Sequence, residues 1–262
     1  MRRWQRPGRG ALAAAALAAL VAAGAPPARV APADSLSRAA PSVALGAHAV
    51  DVEQAHTRHV ETALPHSRFE DIEQWLRVWD DPQRDAWTEP ERVIELLRLR
   101  PGMRLALLGA ATGFFNARLA RAVGPSGVVY AADEEPELVR LMRERAGREA
   151  TPNVHPVLAA EGDPQLPVQT VDRVLLVDTY HHLRSRRAYG GRLQRWLPAD
   201  GLLVVVEWLP GELGRGPLPA FKVTPEQVSE EVRAAGYRLV ERTELRYQYV
   251  LVFRPALPED RP

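Results

Sequence analysis

Between residues 104 and 207 the chain alternates short aliphatic runs with amphipathic stretches bounded by helix start and stop signals. The pattern predicts strands over Arg104 to Leu108, Gly127 to Ala132, Val154 to Ala159, Val171 to Val177 and Leu202 to Glu207. Between them it predicts helices over Thr112 to Val123, Pro136 to Ala146 and His182 to Leu197. Such an order permits right-handed βαβ units and a mostly parallel sheet covered on both faces. The end of the chain differs. Thr224-Pro225-x-Gln227 opens a helix stopped by Gly236, and the runs Tyr237 to Arg242 and Arg246 to Phe253 follow with only a few residues between them. So short a connection joins antiparallel strands only. The expected fold is α/β, a Rossmann-like doubly wound sheet, mostly parallel with an antiparallel last strand.

Upstream of the sheet, Arg2, Arg3, Arg6 and Arg9 precede an apolar run from Ala11 to Ala23, the layout of a secretory signal peptide. Thirteen residues fall short of the roughly 20 that a helix needs to span a bilayer. We expect a signal peptide over 1–33, leaving no stable membrane anchor after cleavage, and a poorly ordered Ala/Pro/His-rich linker over 34–65. The expected destination is the periplasm, or the cytoplasm if the start codon is misassigned. His48, His56, His59 and His66 fall in or beside that linker and read as solvated histidines. Residues 66–100 read as a helical lid, opened by the capping pattern Ser67-x-x-Glu70 and, at a second helix, Thr88-x-x-Glu91. The sheet domain occupies 101–255 and a tail 256–262.

Composition removes whole classes of chemistry. The 262 residues contain no cysteine, which excludes disulfides, thiolate metal sites and cysteine nucleophiles. Lys222 is the single lysine, so there is no P-loop lysine and no Tyr-x-x-x-Lys dyad. A net charge of +1 gives no global field to gather nucleic acid.

In a doubly wound sheet ligands bind beyond the carboxyl ends of the strands. After the first strand comes Gly109-Ala110-Ala111-Thr112-Gly113, either a ligand-cradling turn or a plain tight one. Twenty residues past Gly113, at the end of the second strand, Asp133 suits a ribose diol, or else is one solvated acid in an acidic run. Asp163 ends the third strand's loop. The fourth strand ends in Asp178-Thr179-Tyr180-His181-His182, a concentration of proton-moving groups of which one histidine is expected to face the cleft. Asp80 to Trp87 is placed to fold over that cleft, or to form a corner held by an Arg84–Asp85 network.

At these residues the chain resembles class I S-adenosylmethionine-dependent methyltransferases, and a bacterial branch of predicted methyltransferases with exported members. The carriers are Arg84-Asp85-x-Trp87-x-x-Pro90, Leu99-x-Pro101-Gly102-Met103, Gly109-x-x-Thr112-Gly113-Phe114-Phe115, Val129-Tyr130-Ala131-x-Asp133, Asp178-Thr179-Tyr180-His181-His182 and Tyr247-Gln248-Tyr249-x-Leu251-Val252-Phe253-Arg254. The resemblance implies a seven-stranded sheet and S-adenosyl-L-methionine as cofactor. It further implies a cofactor loop of Gly109, Ala111, Thr112, Gly113 and Phe114, with Asp133 on the ribose and Asp163 on the adenine. His181, Tyr180 or Asp178 would then orient or deprotonate a small-molecule acceptor. Two positions depart from the pattern: Leu107 replaces an acid, and Ala111 replaces the central glycine. The competing readings are a catalytically degenerate exported protein that binds a ligand or partner, and a nicotinamide-dependent oxidoreductase. The latter explains the turn and Asp133 but not the Asp178 to His182 cluster.

Overall fold

The computed structural model describes residues 76–77 and 79–257, all within one unit, His48–Pro262. The expected signal peptide, the linker with its histidines, the Ser67 capping pattern and most of the tail lie outside the described residues.

Seven strands form one sheet: β1 (Arg104–Leu108), β2 (Val128–Asp133), β3 (Val154–Leu158), β4 (Arg173–Val177), β5 (Leu202–Trp208), β6 (Tyr237–Glu244) and β7 (Gln248–Pro255). Their order is β3-β2-β1-β4-β5-β7-β6, with β7 antiparallel to both its neighbours. The helices are α1 (Arg84–Thr88), α2 (Pro90–Leu97), α3 (Asn116–Val123), α4 (Pro136–Arg148), α5 (Arg186–Leu193) and α6 (Pro225–Ala234). The central strands are apolar at consecutive positions because both faces are covered. Leu105 and Leu107 join one buried cluster with Val93 of α2, Leu119 of α3 and Met142 of α4. Ala106 and Leu108 join the other, with Leu193 of α5 and Val228 of α6. This is the Rossmann-like α/β fold expected, its last strand antiparallel.

Local chemistry shifts several boundaries. The helix predicted from Thr112 starts at Asn116, since Gly109, Ala111 and Gly113 all have positive φ, which a right-handed helix cannot continue. After β4 the predicted single helix breaks into a 3₁₀ turn at Tyr180–His182 and α5, separated by the extended residue Leu183. Thr224 caps α6 as read, with both halves of the capping box formed. Thr88 does not cap α2. It ends α1 with its side chain buried, and Glu89 turns the corner at φ 48° ahead of Pro90. Proline disfavours the right-handed helical region for the residue before it, so the corner falls at Glu89.

Candidate active site

The site lies where β1, β2, β4 and β5 end. Beyond β1, the Ala111 N–H donates to Asp133 Oδ2 at 2.9 Å, and the Glu135 N–H donates to Oδ1 at 3.1 Å. The ribose candidate is therefore tied to the turn it was expected to serve. Each carboxylate oxygen has spent one lone pair, leaving acceptor capacity for two hydroxyls. Burial pushes the Asp133 carboxyl up to about 6, against the pull of those two backbone donors. Thr112 Oγ1 donates to Asp80 Oδ1, which Arg145 also holds at 2.8 Å.

Ala111 sits at φ 49°, so the replaced glycine position does require the left-handed conformation. The turn's backbone survives at a local cost of about 1–2 kcal/mol for a residue with a Cβ. Ala111→Gly is expected to stabilise the chain by about 0.5 kcal/mol, since relief of this strain slightly exceeds the added entropy of an unfolded glycine. Urea unfolding checks it; a lower midpoint would mean that the methyl group packs favourably. Leu107 is 2% exposed in the apolar cluster that holds Phe114 and Val206, so the lost acid has become core.

At the end of β4 the predicted cluster divides. His181 turns inward: its Nδ1 lies 2.8 Å from Glu207 Oε2, and its backbone N–H donates to Glu207 Oε1 at 3.1 Å. Glu207, in β5, is 1% exposed and the His181 side chain 7%. His182 is exposed, its ring 4.0 Å from that of His181. Burial pulls the His181 imidazole down, but the charge of Glu207 and its hydrogen bond outweigh this and hold it above its ordinary value. Tyr180 goes elsewhere, donating its hydroxyl to Glu231 Oε2 at 2.8 Å, on a carboxylate that Arg186 also grips. Asp163 is likewise engaged, accepting from the Gln165 N–H and pairing with Arg195 at 2.7 Å.

Asp178 stands at φ 51° and accepts from Gln248 Nε2 at 2.6 Å. Burial, then the charge of Glu207, pushes its carboxyl up to about 7, opposed by Arg84, His181 and the Gln248 bond. An acid whose folded value lies above its unfolded one favours the folded state most when protonated. The stability it contributes is complete below about pH 4 and is lost as pH rises towards 7. Asp178→Asn keeps the left-handed backbone, which asparagine tolerates. After an amide flip it can donate to Gln248, whose Oε1 is buried without a partner among the described residues. The variant is expected to flatten the fall in melting temperature between pH 4 and 7; an unchanged slope would refute the titration.

The segment before α2 covers this ground. Asp80 reaches Thr112, Arg84 lies over Phe114, Asp85 pairs with Arg118 at 2.6 Å, and Trp87 stacks on Trp208 at 5.3 Å. Arg84 and Asp85 diverge, so the corner network between them does not form. Sequence reasoning missed Glu207, although a single acid inside the apolar run Leu202–Trp208 was a visible signal. It also gave Gln248 no role, though this residue is fully buried beside the cluster.

Comparisons with known proteins agree with this fold. Residues 107–205 match the family model described as "Methyltransferase domain". A protein-L-isoaspartate O-methyltransferase of Methanothrix thermoacetophila is 41% identical over 64 residues, 24% of this chain and 30% of that protein. Its counterpart from Aeropyrum pernix is 36% identical over 76 residues, 29% of each. The chain thus spans less than a third of the length of the curated relatives it matches. A SAM-dependent methyltransferase from Aquifex aeolicus, known from its crystal structure, is 27% identical with a TM-score of 0.68, covering 71% of this chain and 99% of that one. The sheet is therefore of the Rossmann-like methyltransferase kind, residues 107–205 are similar to a methyltransferase domain, and the cofactor that goes with such a domain is S-adenosylmethionine.

Proposed function

We propose that the chain methylates a small-molecule acceptor that must lose a proton, a phenol, alcohol or amine. The observation that carries this is the buried His181–Glu207 pair beside a turn closed on Asp133. With Nδ1 occupied by Glu207, Nε2 is the imidazole atom free to take a proton from an acceptor. The residues fit the cofactor on its ribose side, because Asp133 keeps two unspent lone pairs; the Gly109 to Gly113 turn would hold its methionine part. When bound, S-adenosylmethionine supplies an electrophilic methyl group on a sulfonium. The protein's part is then to hold the acceptor in line, exclude water and remove its proton.

A carboxylate acceptor, as the names of the isoaspartate enzymes suggest, is already an anion at neutral pH and needs no base. The His181–Glu207 pair would be surplus for it. A second reading, a module that binds ligand without turnover, is favoured by Ala111 and by the burial of Leu107. Calorimetric titration with S-adenosylhomocysteine, followed by a product assay against phenols, alcohols and amines, separates the readings. Binding with methyl transfer supports the enzyme; binding without transfer to any acceptor supports the module; no heat at millimolar ligand removes both the cofactor and the proposal.

A further inference from the structure

Among the described residues, one buried cation of the covering segment forms no ion pair. Arg84 is 7% exposed, and among the described residues its one hydrogen bond is from Nη1 to the Trp79 carbonyl at 2.6 Å. Its Nε has no partner, and among the described residues it belongs to no ion pair. A guanidinium carries five donors, and burying its charge on one neutral acceptor is costly unless something completes the set. Burial lowers its pKa to about 10, with Asp178 and Asp80 pulling it back, so it remains a cation at neutral pH.

Its position says what could complete it. The guanidinium carbon lies 4.2 Å from the centre of the Phe114 ring, and Phe114 directly follows the turn after β1. The opposing charge that acts on it most strongly is Asp178, at the end of β4. Asp133 stands on β2, and β1 lies between β2 and β4. A ligand whose ribose is held at Asp133, with its adenine towards β3, must extend its other end across β1 towards β4. That end of S-adenosylmethionine is an amino acid, and its carboxylate is the anion of the molecule. Arg84 stands where that group would arrive, and a planar fork matches a carboxylate bidentately.

We propose that Arg84 receives the α-carboxylate of S-adenosylmethionine, so that the segment covering the site fixes the cofactor's amino-acid end from above. This rests on the cofactor reading. It explains why a charge is buried on a segment that is otherwise held by Asp80, Asp85 and Trp87. It also gives the methionine end a polar anchor where Leu107 offers none.

The test compares S-adenosylmethionine with decarboxylated S-adenosylmethionine, which keeps the sulfonium and the amine. Calorimetry on the unaltered chain should show the carboxylated ligand bound about 30-fold tighter or more, the scale for breaking a buried charge-assisted pair. Arg84→Gln should bind both ligands equally, at the level of the decarboxylated one. The idea is overturned if the unaltered chain does not discriminate, a measurement that needs no variant to fold. It is overturned equally if Arg84→Gln weakens both ligands alike, which would make the residue only a counter-ion for Asp178. Failure to bind either ligand would remove the cofactor reading itself, a result distinct from binding without discrimination.

Discussion

Glu207→Gln is expected to lower kcat by about 100-fold to 1,000-fold while leaving the affinity for S-adenosylhomocysteine within about threefold. The carboxylate does two things for His181. It lies 2.8 Å from Nδ1 and so can fix the imidazole, and in the proposed mechanism it would stabilise the imidazolium formed when Nε2 takes a proton. A glutamine retains the shape but offers one oxygen and one amide, so the tautomer is no longer dictated and the positive charge is no longer met. The groups facing the imidazole are Glu207 from β5, Asp178 from the end of β4, Arg186 from α5 and the neighbouring His182. With the glutamate neutralised, the raising influence of its charge disappears while burial remains, so the imidazole pKa falls below its unaltered value. The rising limb of the pH–rate profile should therefore move to lower pH in the variant, even as the plateau drops. His181→Ala should lose at least as much turnover, by removing the proposed base itself. If Glu207→Gln instead lowers the melting temperature and scales all activities down without moving the profile, the pair is a structural pin.

Much of the fold was legible because its causes are local. Five aliphatic runs alternate with helical stretches, and each run became a strand, while the capping box at Thr224 formed in full. The misreadings were equally local in origin. Ala111 at φ 49° is a left-handed residue that alanine's propensity hides, and it delayed the start of α3 to Asn116. The site was only half legible. Asp133 and the turn it binds are separated by strand spacing alone, so position along the chain identifies both. Glu207 and Gln248 depend on pairing between β5 and β7, with Trp208 opposite Gln248 and Glu207 opposite Tyr249. No pattern within either strand specifies what lies at the end of β4. Tyr180 and His181 are adjacent in sequence, yet the 3₁₀ turn sends one hydroxyl to α6 and the other side chain to β5. Arg84 was hidden by abundance, one arginine among the many in a chain whose 34 basic residues include a single lysine.

Asp133→Ala is expected to weaken S-adenosylhomocysteine binding by about 100-fold or more with little loss of folding stability. The two effects separate because this carboxylate is poorly placed as a stabilising group. Burial raises it to about 6, so the folded state prefers it protonated and at pH 7 its charge opposes folding. Its bonds to the Ala111 and Glu135 N–H groups offset that cost in part. Removing it exchanges a buried charge for two unpaired donors, and these terms are of similar size and opposite sign. For a ribose diol nothing compensates, since two hydroxyls lose an ionised acceptor, each bond worth about 1.5–3 kcal/mol. The same carboxyl also sets a pH dependence in the unaltered chain. Only the ionised form accepts from both hydroxyls without bringing a competing proton. Affinity should therefore hold above about pH 7 and decline as pH falls through 6, and the alanine variant should show no such decline. Calorimetric titrations at pH 5 and 8, beside thermal denaturation at both, decide the matter. A variant that loses stability yet keeps its affinity for the ligand, or a pH-independent affinity in the unaltered chain, would place the ribose elsewhere.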